Sequence, residues 1–326
     1  MRVLVIGLGS MGKRRIRMLL RIMKRDCIFG IDTDRERRKQ AEVLYKIHCL
    51  DSLDVALLHN QYDAAFVCTS PLAHSSISRR LLKAGINVFS EINLIDDGYD
   101  ELSELAGRYN VLYFLSSTPM YRTEMQIISS ITKREFSLTY NYHVGQYLPD
   151  WHTWETYSNF FVGDKRTNGC REIFAIELPW MTDAFGKIID LQVLSKRSTD
   201  LNIDYNDTYI VTLIHERGNA GVFCVDVCSR KAVRHLEIYN QNLYITWEGE
   251  KDSLQSYDLE AREMKKLTIA EADEHHADYA QFINEYAYFK EVLAFFSCIK
   301  GQATPMHTLE RDKIILGIID QIERGK

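Results

Sequence analysis

The chain has 326 residues, 46% hydrophobic and 26% charged, with 40 Lys+Arg against 45 Asp+Glu for a formal net charge of −5. At about 150 residues per domain this length predicts two domains, each with its own core, and the apolar share excludes a disordered or fibrous chain. The acidic balance offers no basic field for nucleic acid or an anionic membrane surface.

No apolar run reaches the roughly 18 residues of a membrane span, and Met1 leads directly into a strand-like run without a leader's charged and apolar regions. A soluble, cytoplasmic protein is expected, with neither nucleic-acid nor membrane partners. The seven cysteines are irregularly spaced. Cys224 and Cys228, four apart, do not form CxxC, so reduced thiols and no metal are expected.

Val3–Ile6 is a fully apolar run of the kind buried on both faces of a parallel sheet. It opens into Gly7-Leu8-Gly9-Ser10-Met11-Gly12, after which Ile16, Leu19, Leu20 and Met23 form a helical stripe. Strand, GxGxxG turn and helix in that order predict a dinucleotide-binding unit. The glycines give a tight turn, close approach to a pyrophosphate and close helix packing. The next apolar run ends at Asp32, twenty residues beyond Gly12, where a carboxylate holds the adenosine ribose. That acid favours NAD. Arg14, Arg15, Arg35, Arg37 and Arg38 crowd the same region, either as a solvated helix face or as partners for the 2′-phosphate of NADP.

Strands then alternate with helices. Ala64–Cys68 reads as a strand, followed by a helix from Pro71 through Leu82 to Gly85. Ile86–Phe89 is a strand, Tyr99–Tyr109 a helix and Val111–Leu115 a strand. This predicts a doubly wound parallel sheet with ligands at the carboxyl ends of its strands.

Gly7–Gly12, Thr69-Ser70-Pro71-Leu72-Ala73-His74 and Ala84-Gly85-Ile86-Asn87-Val88-Phe89-Ser90-Glu91 together make the chain resemble the Gfo/Idh/MocA oxidoreductases, the relatives of glucose-fructose oxidoreductase and inositol dehydrogenase. The resemblance implies an α/β architecture: an N-terminal Rossmann domain (residues 1–122) and a C-terminal α+β substrate and oligomerisation domain (123–326) with a large, mostly antiparallel, open-faced sheet. It implies hydride transfer between nicotinamide and a hydroxyl carbon of a sugar, cyclitol or nucleotide sugar. Cofactor contacts are expected from Gly7, Leu8, Gly9, Ser10, Met11, Gly12, Asp32, Thr69, Ser70, Pro71, His74 and Glu91. Tyr121 and Arg122 are expected to face the substrate, or else to cap the domain boundary.

The second half fits by its own pattern. Phe136, Leu138, Tyr140, Tyr142 and Val144 alternate with polar residues, as do stretches of 205–216, 220–228 and 233–247. Helices are predicted over about 275–299 and 309–322, with Asp273, Glu274 and Asp278 around His275-His276 capping the first rather than holding metal. The open sheet face of such relatives implies a homo-oligomer, a dimer or tetramer.

The catalytic set departs from the family. Its Glu-Lys-Pro becomes Glu91-Ile92-Asn93, and Ile92 cannot carry a proton. On the later helix Ile176 and Pro179, or in a shifted register Trp180 and Asp183, stand where histidine and aspartate are implied; neither register restores a histidine, and Glu177 is left as a substrate contact. The long aromatic loop after His143 supplies substitutes: His152 as proton carrier or hydroxyl ligand, Asp150 as its orienting or sugar-binding partner, Trp151 as a platform for a sugar face. A loop packed structurally is the alternative. Two functions follow: an NAD-dependent (alternatively NADP-dependent) carbohydrate oxidoreductase, or a cofactor-binding, catalytically inactive relative acting as sensor or partner subunit.

Overall fold

The computed structural model describes residues 1–59, 61–151, 156–269 and 284–325. The chain forms two compact units, Met1–Ser117 with Tyr288–Lys313, and Thr118–Ala287 with Ile314–Lys326.

In the first unit β1 (Val3–Ile6), β2 (Ile28–Ile31), β3 (His48–Leu50), β4 (Ala64–Val67), β5 (Asn87–Ser90) and β6 (Tyr113–Leu115) alternate with α1 (Ser10–Leu20), α2 (Arg35–Tyr45), α3 (Leu53–His59), α4 (Pro71–Lys83) and α5 (Tyr99–Tyr109). Among the described residues the strands form one parallel sheet in the order β3-β2-β1-β4-β5-β6. The doubly wound sheet is therefore as expected. Its order reverses between β1 and β4, and a ligand crevice opens at the carboxyl ends of strands flanking such a point.

A single cut after Arg122 would leave 288–313 outside this unit. The structure returns them to it for a packing reason. Phe295, on α8 (Glu285–Ile299), has its ring 5.3 Å from Phe66, 5.5 Å from Phe89 and 5.6 Å from Phe114. Those three phenylalanines come from adjacent strands of the parallel sheet, so α8 covers it with aromatic contacts. Residues 275–283 of the expected helix lie outside the described residues.

The second unit contains α6 (Thr123–Thr132), α7 (Gly169–Phe185) and the strands β7 (Thr139–Gly145), β8 (Ile188–Lys196), β9 (Thr208–His215), β10 (Ala220–Asp226), β11 (Val233–Asn240), β12 (Leu243–Trp247), β13 (Gln255–Asp258) and β14 (Glu263–Lys266). The chain's last described helix, α9, is Leu309–Arg324. Among the described residues the strands form one sheet, β14-β13-β12-β11-β7-β10-β9-β8, antiparallel except where β10 runs parallel to β7.

Period-two burial explains how this sheet is covered. Tyr140, Tyr142 and Val144 are buried on one face, against α7, while Thr139, Asn141 and His143 point to the other. Tyr140 stacks on Phe185 at 4.4 Å and Tyr142 on Phe223 at 5.1 Å, with the Trp180 edge 5.6 Å from Tyr142. Strand β8 escapes sequence reading because Ile189 and Leu194 are exposed and a bulge between Ile188 and Asp190 breaks its alternation.

Candidate functional site

The glycine turn closes tightly against neighbouring backbone. Gly7 has φ +90°, a left-handed conformation that suits glycine, and an added Cβ would meet the Cys68 carbonyl oxygen at 2.7 Å. A Cβ on Gly12 would strike the Gly7 oxygen at 1.9 Å, so α1 packs on β1 at a distance only glycine permits. A Cβ on Gly9 would meet nothing within 4 Å, and Gly9 is the N-cap of α1, which has no side-chain cap and no acid in its first turn. The helix start thus presents its amide end to open space, as an anion requires. These residues fit a dinucleotide.

Asp32, at the end of β2, is buried and accepts the Leu8 amide at 2.7 Å through Oδ2 and the Asp34 amide at 2.9 Å through Oδ1. Its carboxylate is thereby fixed beside the turn. The arginines divide in function. Arg38 donates to the carbonyl oxygens of Asp32 and Thr33, Arg37 is exposed with its guanidinium 3.9 Å from Asp32, and Arg35 is exposed. Arg14 and Arg15 are buried and belong to no solvated face. Arg15 instead donates to Glu91 (2.6 and 3.1 Å) and to Glu291 (2.8 Å). Burial alone would lower the Arg15 pKa; the two carboxylates more than reverse it. Glu91 thus appears in the fold as the partner of Arg15.

Thr69, Ser70 and Pro71 lie between β4 and α4, with Ser70 exposed and Pro71 at the first helical position. His74 is buried, and burial lowers its pKa from 6.5. Its Nε2 lies 2.9 Å from the Thr69 carbonyl oxygen and its Nδ1 2.8 Å from Asn93 Oδ1. Asn93 in turn donates its Nδ2–H to the Tyr113 hydroxyl at 3.4 Å. Half-buried Ile92, between Glu91 and Asn93, brings no titratable atom to the end of β5.

In the second unit Tyr121 and Arg122 are buried. Arg122 donates to Glu124 at 2.7 Å and to the Gly249 carbonyl at 2.9 Å, its guanidinium 4.9 Å from the Trp247 ring. Glu177 is buried on α7. It accepts from Tyr142 and Trp180 at 2.7 Å each through Oε2 and from Arg234 at 2.5 Å through Oε1. Tyr142, Trp180 and Arg234 were missed as a group by sequence reading. A usable signal existed, since Arg234 shares the inward register of Leu236 and Ile238, and a charge placed there needs a partner. On the same helix Ile176 is half-buried and Pro179 buried.

Asp150 is exposed at the end of a short turn, Leu148–Asp150. Trp151 donates its indole N–H to the Gln146 carbonyl at 3.0 Å, with its ring above Gly169 at the start of α7. His152, with Trp154, falls outside the described residues. All seven cysteines are free, and no helix among the described residues is long and apolar enough to cross a membrane.

A parallel sheet of this order with a glycine turn and a buried acid at the end of β2 defines a Rossmann-like α/β fold, here joined to a second, mostly antiparallel sheet. Residues 1–113 match the GFO_IDH_MocA model, an oxidoreductase family with an NAD-binding Rossmann fold. Over those residues the chain is similar to the Gfo/Idh/MocA oxidoreductases, as its motifs imply.

Solved structures share the fold over the whole length. UDP-N-acetylglucosamine 3-dehydrogenase GnnA from Acidithiobacillus ferrooxidans has 14% identity and a TM-score of 0.77, covering 100% of this chain and 97% of its own. The WlbA dehydrogenase from Bordetella pertussis, in complex with NADH and UDP-GlcNAcA, has 13% identity and a TM-score of 0.76, covering 100% and 96%. An oxidoreductase from Agrobacterium radiobacter, in complex with NAD+, L-tartaric acid and magnesium, has 10% identity and a TM-score of 0.80, covering 99% and 95%. No curated protein matches by sequence.

Proposed function

We propose that the protein is an NAD-dependent oxidoreductase that moves a hydride to or from a hydroxyl-bearing carbon of a sugar, cyclitol or nucleotide sugar. The open space at Gly9, at the uncapped start of α1, carries this reading, and the family match over 1–113 supports it. Gly7, Leu8, Gly9, Ser10, Met11 and Gly12 hold the diphosphate through backbone amides, and Asp32 accepts from the ribose hydroxyls. Asp32 repels a 2′-phosphate, hence NAD over NADP. Thr69, Ser70, Pro71 and His74 border the same end of the sheet, and Glu91 acts there through Arg15.

Bound NAD supplies the hydride acceptor. The proton of the substrate hydroxyl needs a protein base, which Ile92 cannot be. His152 serves as that base and Asp150 orients it. Trp151, Tyr121, Arg122 and Glu177 shape the carbohydrate side. The neighbours solved with a nucleotide sugar make that class the first to assay. We further propose a cytoplasmic homo-oligomer, dimer or tetramer, joined through the second sheet at its β8–β9 edge, where Leu194, Ile210 and Ile214 are exposed.

The test is NAD binding by calorimetry together with NADH formation over a panel of sugars, cyclitols and nucleotide sugars, in the protein and in His152→Ala. Substrate-dependent NADH formation that is lost in His152→Ala is expected. NAD binding without turnover on any member would support the second reading, a non-catalytic sensor or partner subunit. The apolar residues Ile92, Ile176 and Pro179 favour that alternative.

A further inference from the structure

We infer that His143, Cys224 and Asp226 form a binding site for one divalent transition cation of the zinc class, on the face of the second sheet opposite α7. Strands β7 and β10 pair in parallel with Cys224 opposite His143 and Asp226 opposite Gly145. Cys224 and Asp226, two residues apart on one strand, share a face. Residues 81 positions apart in sequence are thereby brought together, a juxtaposition that cysteine spacing could not reveal.

The three donor atoms, an imidazole nitrogen, a thiol sulfur and a carboxylate oxygen, all lie within 4.8 Å of one another; no other such group of three occurs among the described residues. A tetrahedral zinc ion, at about 2.0 Å from nitrogen and oxygen and about 2.3 Å from sulfur, sets its ligands about 3 to 4 Å apart. The His143–Asp226 pair, 2.6 Å apart through Nε2 and Oδ2, need open only slightly to admit it.

The surroundings hold the carboxylate in place. A Cβ at residue 145 would come within 2.3 Å of Asp226 Oδ2, so glycine there lets the carboxylate lie across β7 toward His143. Asp226 Oδ1 accepts the amides of Cys228 (2.9 Å) and Ser229 (2.7 Å), and Oδ2 accepts the Ser229 hydroxyl (2.9 Å). Such partners orient a ligating carboxylate. The His143 side chain is 37% exposed, which leaves solvent access for a water as fourth ligand. A mixed N, S and O donor set suits zinc-class ions, whereas calcium and magnesium take oxygen throughout. On ligation the cation takes the place of the protons on Cys224 Sγ and His143 Nε2, which pass to solvent.

Cobalt(II) is the probe, added to the reduced, chelator-dialysed full-length protein. One ion per chain is expected, with a thiolate-to-cobalt charge-transfer band and the visible absorption of four-coordinate cobalt, both abolished by added zinc. Cys224→Ser removes the band. His143→Gln weakens binding by at least about 100-fold, the upper end of the losses seen when even an outer partner is removed. Cys298→Ala, a thiol of the first unit, leaves both signals unchanged. A six-coordinate spectrum without the band, or a band that survives Cys224→Ser, overturns the site. Should Cys224→Ser fail to fold by circular dichroism, unchanged affinity in His143→Gln would overturn it alone.

Discussion

Arg15 and Glu291, both with no exposed side-chain surface, meet at 2.8 Å across 276 positions of sequence. Glu91 completes the group on the other side of the guanidinium, and Glu291 also accepts the Ser116 hydroxyl and the Ser117 amide. One cation thus faces two buried carboxylates. Burial raises the Glu291 pKa above 4.5, against the opposing pull of Arg15.

Removing the cation should therefore cost far more than removing one acid. Arg15→Met leaves two buried carboxylates facing each other, and urea unfolding should show a loss of about 3 to 5 kcal/mol. Glu291→Gln keeps the shape and should change stability by about 1 kcal/mol or less near neutral pH. Glu291 binds its proton more tightly folded than unfolded, so its contribution is full below pH 4.5 and fades as pH rises through the folded pKa. Glu291→Gln should flatten that decline. Equal losses in both variants would contradict the arrangement.

The legibility of this cluster was one-sided. The GxGxxG turn, Asp32 and the strand-helix alternation were plain because each follows from local periodicity and spacing. The role of Arg15 was not, since a charged residue on an amphipathic helix looks solvated until its partner is known, and that partner lies on α8. The same holds for Glu177, whose three donors come from β7, α7 and β11. Sheet membership of β8, β13 and β14 was also hidden, by a bulge in the first and by mainly polar sequence in the others.

His74 gives a pH prediction of the opposite sign. Its folded pKa is lowered below 6.5 by burial, so the unfolded chain binds the extra proton more readily. Stability should be lost as pH falls below 6.5 toward the folded pKa, and should be full above 6.5. His74→Gln removes this titration. Thermal midpoints measured between about pH 5 and pH 7.5 should rise less steeply in the variant than in the parent, the window being set by the ordinary histidine pKa. An identical slope would show that His74 titrates alike in both states.

Glu177 and Arg234 should be energetically coupled. Glu177→Gln keeps acceptor and donor atoms in place but removes the carboxylate charge that faces Arg234, whose side chain is 14% exposed. A loss of about 2 to 4 kcal/mol in urea unfolding is expected, toward the lower part of what breaking a buried pair costs. The double variant Glu177→Gln/Arg234→Met should recover at least about 1 kcal/mol of the summed single losses, the range found for groups in direct contact. Strict additivity would place the stabilising contacts of Glu177 in Tyr142 and Trp180 alone.

The cofactor turn separates binding from folding residue by residue. A Cβ on Gly9 projects into open space, whereas one on Gly12 comes within 1.9 Å of the Gly7 oxygen. Gly9→Val should therefore leave the urea midpoint nearly unchanged, within about 0.5 kcal/mol as for substitutions that disturb no contact. Its methyl groups occupy the volume where a diphosphate meets the start of α1, so NAD affinity measured by calorimetry should drop by at least about tenfold, or about 1.4 kcal/mol. Gly12→Ala should instead lower stability, because the helix must move off β1. A Gly9→Val protein that binds NAD as the parent does would displace the nucleotide from this turn, and with it the basis for assigning hydride transfer.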